Sequence, residues 1–391
     1  MNFKDSILSF TLLQKICLSI IAVYVLIGIS ADFIANDKPL YCVCNGRSVF
    51  PIGKSYLEKI GLFNYTTASD YLECTSRIMP WIPFHANSLD PLSNGYAGPW
   101  TKSATGIHIL GTDALGKDVL AGLIHGTRYA FIIGIFATLF SLIPGVMSGM
   151  MMGYFENHKL RINYIQAGAF FIALILFFFE LRTIAFVFSG IPFWIITFIL
   201  ICTLIIALIA IFKYAKFNLN TVAFPLDNMM MRCIEIFESF PKLLVLMILS
   251  IWIARPGIFS IVILIAVIRW PLFAQISRAE TIRVSNLNFT RSAENIGVHW
   301  FRILTRHIWP NIKGSLLVTA LFSLSTAILL EASLSFIGLG LKLELVSWGS
   351  LLNEGRQYFP GWWLSLFPGL TIFVLILSVN WLFDDKNRAI G

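Results

Sequence analysis

The residues from Gly111 to Lys117 (GTDALGK) have the types and spacing of a phosphate-binding loop. In such a loop the glycines let backbone N–H groups surround phosphate oxygens, and a lysine neutralises their charge. The next position should be a serine or threonine that ligates Mg²⁺, but here it is Asp118, whose carboxylate would repel phosphate. We therefore expect no nucleotide binding, and we interpret the segment as a surface element that leads into an apolar helix.

Histidines and cysteines are the other residues that could do chemistry. The six histidines are scattered over predicted loops, at spacings that match no metal-ligand motif. Cys42, Cys44 and Cys74 lie in one polar segment, where two of them could form a disulfide and leave one thiol over, with metal binding as the alternative. We predict no catalytic residue, no cofactor and no metal site.

Two charged residues, Glu331 and Arg269, fall within long apolar runs. A charge in hydrocarbon is costly, so it usually has a partner or a function. Glu331 is a candidate for lining a translocation path near its outer end, and packing against polar backbone is the alternative. For Arg269, which precedes Trp270-Pro271, we favour a position at a kink or an interface.

The composition decides what kind of protein must position these residues. Of the 391 residues 57% are hydrophobic and only 13% are charged, about half the charged share of a soluble domain. The mean hydropathy is +0.78. This excludes a disordered chain and an ordinary soluble enzyme, and it predicts a multi-span membrane protein. The net charge of +8 then concerns membrane orientation and not nucleic acid.

The apolar runs predict about eight membrane spans, since a helix needs roughly 20 apolar residues to cross the hydrocarbon. The predicted spans are 16–34, 129–155, 162–179, 193–212, 234–254, 258–276, 314–337 and 361–383. A long polar segment, 35–128, follows the first span, and we expect it to carry structure of its own. With the N-terminus inside, the inner segments hold fifteen Lys and Arg residues and the three shorter outer loops hold four. This bias predicts that both termini are cytoplasmic.

The most basic inner segment is the connecting loop, residues 285–313. Ser285-Asn286 offers a helix cap, 289–296 reads as a short helix, Gly297 breaks it, and a second amphipathic run precedes Pro310. The pattern predicts a helix, a glycine turn and a helix at the cytoplasmic face. A solvated connection that contacts lipid headgroups is the alternative.

The order of residues in this loop resembles the EAA loop of ABC importer permeases. Small residues are followed by Gly297 and, thirteen and fourteen positions later, by Pro310-Asn311. Residues 306–311 (RHIWPN) are similar to the RHILPN form of dipeptide and oligopeptide permeases. Further similar stretches follow the family's order: 111–134 (GTD-x-x-GKD), 225–241 (P-L-D, M-R, E-I and S-F-P) and 329–349 (EASLSFIGLG and WG).

The resemblance implies a coupling helix, which in this family seats in a groove of a cytoplasmic ATPase. The residues that it assigns to this contact are Arg291, Ser292, Ala293, Glu294, Gly297, His299, Trp300, Arg306 and Pro310. Ser292 and Ala293 allow close approach, and Gly297 permits the backbone to reverse. Glu294 stands where the subfamily usually has Arg, and this reversed charge could change which ATPase subunit is accepted.

The resemblance further implies an all-α polytopic transmembrane helical bundle of the ABC importer permease type, in a bacterial inner membrane. Such a chain forms half of a translocation path for peptides or similar solutes. Its partners are a second homologous permease, two cytoplasmic ATPase subunits, an extracytoplasmic solute-binding protein and the bilayer, without nucleic acid. The chain itself would catalyse no bond chemistry. Peptides, modified peptides and nickel stay open as substrates.

Two segments of this chain are longer than the corresponding segments of a six-span member of this family. Residues 156–224 contain an additional two-span hairpin of unknown role, and the outer segment has a stretch, 78–91, similar to oligopeptide permeases of the microcin C type. The expected division is 1–34 (N-terminus and first span), 35–128 (periplasmic), 129–155 (second span), 156–224 (hairpin), 225–384 (permease core) and 385–391 (cytoplasmic tail).

Two other classes of membrane protein would have different sequence features. A secondary transporter or channel that works without ATP would show intramembrane ionisable pairs or symmetric broken helices, and neither is evident in the sequence. A membrane-embedded enzyme would need His, Asp or Glu residues clustered at one depth, which the spread of polar residues does not supply.

Overall fold

The apolar runs form long helices in the structure, a computed structural model that describes residues 11–44, 47–53, 76–90, 95–103, 106–156, 161–163, 221–223, 225–253, 257–341 and 345–388. The helices are α1 (Leu12–Ile34), α2 (Val119–Phe155), α3 (Leu226–Ser239), α4 (Lys242–Trp252), α5 (Ile258–Ser285), α6 (Asn288–Asn295), α7 (Trp300–Ile303), α8 (Trp309–Ile337), α9 (Trp348–Gln357) and α10 (Trp363–Arg388). The predicted helical bundle is confirmed.

Within the described residues, five helices are long and apolar enough to cross a membrane: α1, α2, α5, α10 and the continuous run Trp300–Ile337 that contains α8. They correspond to five of the eight predicted spans. The pair 162–179 and 193–212 falls outside the described residues, except for Ile162 and Asn163, which are in a β-strand and not in a helix. The predicted third span was therefore placed too early at its start.

The predicted span 234–254 differs from the structure because it is not one helix. α3 ends at Ser239, and α4 begins at Lys242 and has only 11 residues. Pro241 has no N–H to donate to the preceding turn, and it forces Phe240 into the extended conformation seen here (φ −84°, ψ 137°). α3 is held against α5 by the ion pair of Asp227 with Arg278.

The main contact of the bundle is the packing of α2 along α5, at a line of glycines four residues apart. A Cβ atom on Gly145, Gly149 or Gly153 would lie 2.6, 2.3 or 2.6 Å from a backbone carbonyl oxygen of α5, those of Trp270, Ala274 and Arg278 respectively. Real Cβ atoms do not approach an oxygen so closely. The two backbones are therefore nearer to each other than any larger residue would allow, as in small-residue packing between membrane helices.

At the opposite end of α2 the Trp348-Gly349 pair joins three helices. Trp348 is 1% exposed, its indole N–H donates to the carbonyl of Leu123 (3.0 Å), and its ring meets that of Tyr24 edge to face. Gly349 is needed because a Cβ there would lie 2.3 Å from the carbonyl oxygen of Ala332 on α8. These contacts explain why this end of the bundle holds Trp and Gly side by side.

The polar segment after α1 forms short strands, as expected for a segment with structure of its own. β1 (Tyr41–Cys44) pairs antiparallel with β2 (Arg47–Val49) and β3 (Ser76–Ile78), and β4 (Thr101–Lys102) pairs with β5 (Ile107–His108). β6 (Arg161–Asn163) pairs with β7 (Thr221–Ala223) and so joins the two ends of the segment between them.

Cys74 and the side chain of Cys44 lie outside the described part, and the disulfide alternatives stay open.

A buried histidine joins this polar segment to α2. His108 is fully buried; its Nε2 lies 3.2 Å from Asp90 and its Nδ1 lies 2.8 Å from Asp118. Asp118 also accepts from the backbone N–H of Ala121 (2.7 Å) and caps α2. Burial lowers the pKa of His108, but the hydrogen bonds and charges of Asp118 and Asp90 raise it by more, so the pKa lies above its usual 6.5.

We predict that Gly149→Ala destabilises the bundle by about 1–3 kcal/mol, since the added methyl group forces α2 away from the Ala274 carbonyl. Gly369→Ala is the matched control, because a Cβ at that helical glycine meets no atom of the described residues within 4 Å. The measurement is the thermal unfolding midpoint in detergent. Equal midpoints for the two variants would contradict the close packing of α2 and α5.

The hydrogen bonds of His108 predict that the stability of the polar segment before α2 depends on pH. The pKa of His108 is raised in the folded state. The stabilisation that its bonds to Asp90 and Asp118 provide is therefore fully present below the unfolded pKa of about 6.5, and it is lost as the pH rises through the folded pKa. Hydrogen exchange of amides in 95–118 should therefore become faster, relative to the intrinsic rate, as the pH rises. In His108→Gln this pH dependence of the exchange rate should vanish. If the variant showed the same pH dependence as the parent protein, His108 would not be its cause.

Candidate functional site

The connecting loop has the predicted order of helix, glycine turn and helix. α6 spans Asn288–Asn295, one residue from the expected range. Gly297 follows with φ +79°, a left-handed conformation that favours glycine. The turn is closed by backbone bonds from Gly297 N to Glu294 O (2.9 Å) and from Val298 N to Ala293 O (3.1 Å). α6 thus ends in a hydrogen-bonded glycine turn.

The second helical run does not stop before Pro310, in contrast to the sequence prediction. α7 continues into a π-helical turn, Leu304–Ile308, and then into α8 without a break. Pro310 lies in the first turn of α8, where a missing backbone N–H is tolerated, and the wider π turn precedes it. The run Trp300–Ile337 is 38 residues long, ~57 Å at 1.5 Å per residue, and so exceeds the ~30 Å hydrocarbon core.

One face of the loop is buried against the end of α2. Its apolar side chains share a cluster with α2 residues, and the members are Ala293, Ile303, Leu304, Ile308, Val146, Met150 and Tyr154, among others. The ring of Trp300 lies 5.4 Å from that of Phe155. The loop is therefore packed on the helix whose glycines contact α5.

A hydrogen bond within this packing involves Glu294, the residue that departs from the family pattern. The carboxylate of Glu294 bonds to the hydroxyl of Tyr154 near the end of α2. Tyr154 is 6% exposed and Glu294 is half-buried, so the bond lies at the edge of the packed cluster and links α6 to α2. No sequence pattern indicates this pair, because the two residues are far apart along the chain.

The other predicted loop residues divide by exposure. Ala293 is buried and Glu294 and Trp300 are half-buried, whereas the exposed residues are Arg291, Ser292, Gly297, His299, Arg306 and Pro310. Apolar side chains are exposed beside them, with Ile296 81% and Phe301 59% exposed. A basic surface with exposed apolar residues is typical of a contact with another protein.

The two charges in apolar runs have partners within this chain. Glu331 is 1% exposed, and its carboxylate accepts from the Ser335 hydroxyl (2.7 Å) and interacts with Ser347, which caps α9. This geometry favours packing between α8 and α9, while a role in the path stays a prediction. Arg269 Nε donates to the Ser323 hydroxyl (3.4 Å) and links α5 to α8.

The segment that resembles a phosphate-binding loop is folded on itself. The Asp113 carboxylate accepts from the backbone N–H groups of Leu115 and Lys117, each at 2.8 Å. The carbonyl of Thr112 accepts from the Trp363 indole (3.1 Å), so the loop is attached to the start of α10. Its carboxylate occupies N–H groups that a phosphate would need, and the segment leads into α2 as predicted. It is not a surface element, however, because Thr112, Asp113 and Asp118 are buried.

The chain is similar to known transport proteins. Residues 221–385 match the family described as "Binding-protein-dependent transport system inner membrane component". The chain is 27% identical over 292 residues to the di/tripeptide transport system permease protein DppC of Pseudomonas aeruginosa, with 74% of each chain covered. It is 26% identical over 384 residues to the inner membrane ABC transporter permease protein YejE of Escherichia coli, with 94% of this chain and 92% of YejE covered.

Two further similarities complete the comparisons. The glutathione transport system permease protein GsiD of Pectobacterium atrosepticum is 26% identical over 286 residues, with 72% of each chain covered. Among solved structures, a chain of the MetNI methionine ABC transporter aligns with a TM-score of 0.37 and 12% identity, over 68% of this chain and 97% of that one.

The bond between Glu294 and Tyr154 predicts how firmly α6 is held. Tyr154→Phe and Glu294→Ala should each speed hydrogen exchange of the α6 amides about tenfold, because a hydrogen bond to a charged group contributes about 1.5–3 kcal/mol. The double variant should be no faster than either single one. Arg291→Ala is the control on the same helix, since that side chain is exposed and bonds to Asn286 on the loop before α6. Additive effects of the two substitutions would show that the residues act separately.

Proposed function

The chain is a transmembrane permease subunit of an ATP-driven ABC importer, and from this premise we propose that its connecting loop seats on a cytoplasmic ATPase and drives the import of peptides or similar small solutes. It is a multi-pass inner-membrane protein and a transport component. The observation that carries the proposal is the attachment of an exposed, basic helical turn to the ends of three long helices, α2, α5 and α8.

This attachment supports a lever mechanism. α6 is separated from α5 by two residues and from α7 by a four-residue turn, and its inner face is packed on α2. A push on the exposed face is therefore transmitted to the long helices and is not absorbed by a flexible loop. In our proposal, closure of the ATPase pair on ATP moves the segment from Arg291 to Trp300, and the spans rock between inward- and outward-facing states.

The orientation follows from the distribution of charge. The loop segment holds Arg291, Arg302, Arg306 and Lys313, whereas the residues between α8 and α10 hold few cations. Short loops rich in Lys and Arg stay in the cytoplasm. We accordingly place the connecting loop and both termini inside, and the polar segment before α2 outside.

The substrate and the partners are inferred from the relatives. The names of those relatives describe permeases for di/tripeptides and glutathione, which supports a peptide or a modified peptide as the solute. The permease family works with a partner ATPase and a substrate-binding protein. We propose two ATPase subunits that hydrolyse the ATP, a second homologous permease that completes the path, and a binding protein at the outer face.

The coupling role is tested at Gly297. A β-branched residue at φ +79° is strained by about 1–2 kcal/mol, although a Cβ there would meet no atom within 4 Å. Gly297→Val should therefore leave the bundle folded but change the turn that presents α6. We expect ATP hydrolysis by the assembled importer to continue while uptake into vesicles falls at least about tenfold, a loss of about 1.4 kcal/mol of coupling.

Gly297→Asn is the matched control, since asparagine tolerates the left-handed region. It should retain most uptake. If Gly297→Val transports as well as the parent protein, the lever assignment fails. If the purified chain moves solute without any ATPase subunit, the importer assignment fails too, and an ATP-independent transporter or channel replaces it.

A further inference from the structure

Three potential metal ligands meet at the outer end of the bundle. Asp32 comes from the last turns of α1, His85 from the extended segment between β3 and β4, and His125 from the second turn of α2. One oxygen or nitrogen of each side chain lies within 4.8 Å of the others. Because they belong to three separate elements, their spacing along the chain does not indicate the cluster.

The ring of His125 is oriented as a metal ligand would be. Its Nε2 lies 2.8 Å from the carbonyl oxygen of Ala35, and since a carbonyl only accepts, Nε2 carries the proton. The lone pair is then on Nδ1, which lies 3.9 Å from Asp32 Oδ1. Metal-ligating histidines commonly donate their other N–H to a backbone carbonyl, which fixes the tautomer and the ring plane.

The Asp32 carboxylate is also fixed, by a hydrogen bond to its second oxygen. Its Oδ2 accepts from Arg128 Nη1 (2.8 Å), and Arg128 Nε donates to the carbonyl of Gly28 (3.0 Å). Oδ1 is the oxygen nearer to His125. Ligating carboxylates are typically hydrogen-bonded in this way through their second oxygen. Arg128 offsets one negative charge, and the Asp37 carboxylate, which interacts electrostatically with His125, adds another.

His85 lies on the more exposed side of the cluster. It is half-buried, whereas Asp32 and His125 are 4% and 3% exposed, so an ion can enter from the His85 side. Its Nδ1 accepts from the backbone N–H of Asn87 (3.1 Å), a bond that ligation would replace. Tetrahedral ligand atoms lie about 3.3 Å apart around a zinc ion, so the non-helical His85 segment has to close on the two helices.

We propose that Asp32, His85 and His125 bind a divalent transition-metal ion of the zinc type through two imidazole nitrogens and one carboxylate oxygen. Such N₂O sets suit Zn²⁺ and similar ions better than Mg²⁺ or Ca²⁺, which prefer oxygen ligands. The ion fastens the polar segment after β3 to α1 and α2 and is a resident ion. This inference is independent of the coupling role of the connecting loop.

The first test measures metal content. The assembled importer, purified through a tag without histidine, is incubated with ZnCl₂, desalted and analysed by mass spectrometry for metal. We expect about one Zn²⁺ more per chain in the parent protein than in His85→Ala or Asp32→Asn, with binding weakened at least about tenfold in each variant. His158→Ala removes a histidine outside the cluster and should retain the ion.

A second readout separates loss of the site from misfolding. Co²⁺ in place of Zn²⁺ should give visible absorption bands in the parent protein that are absent in His85→Ala, while both proteins elute as the same monodisperse complex. A chelator should lower the unfolding midpoint of the parent protein and leave that of His85→Ala unchanged. Equal metal content in parent and cluster variants, or a chelator effect that survives in His85→Ala, would overturn the proposal.

Discussion

The close approach of two backbones, α2 and α5, is the constraint on which the membrane bundle depends. Glycines at every fourth position of α2 remove all side chains from one line of the helix, and carbonyl groups at every fourth position of α5 occupy that line. In hydrocarbon no hydrophobic effect drives helices together, so tight van der Waals contact and weak Cα–H···O bonds must do so. A single methyl group on this line separates the helices, and no neighbouring side chain can compensate by moving, since the obstacle is backbone.

This line of contact runs toward the end of α2 that holds Tyr154 and Phe155, where the connecting loop is packed. Gly153 faces the carbonyl of Arg278, and Arg278 is in turn paired with Asp227 at the start of α3. The helices that meet the loop are thus joined to one another within one or two turns of it. The loop and the adjacent ends of α2, α5 and α8 therefore form one packed group. The break at Pro241 leaves α3 and α4 as two shorter bodies beside that group.

Much of this could be predicted from the sequence, because hydrophobic length, charge bias and turn residues act locally. The long helices follow from apolar runs, and the turn at Gly297 from a glycine between two amphipathic stretches. Pro241 and Pro310 show the limit, since the first ends a helix while the second is accommodated by a π turn. What a proline does depends on its neighbours in space. The four-residue spacing of Gly145, Gly149 and Gly153 was visible in the sequence, but it does not say which helix lies opposite.

Contacts between distant residues were beyond sequence reasoning altogether, and Glu294 illustrates why. Related permeases usually have Arg at this position. The negative charge of Glu294 therefore suggested that the loop accepts a different partner. That argument assumes a side chain directed at the partner, yet this carboxylate is bonded to Tyr154 of the same chain. An arginine there could not accept the hydroxyl proton, because a guanidinium only donates. The charge reversal therefore alters first how the loop is attached to its own bundle. In the contact that we propose, recognition of the partner is left to the exposed side chains, such as Arg291, Ile296 and Arg306.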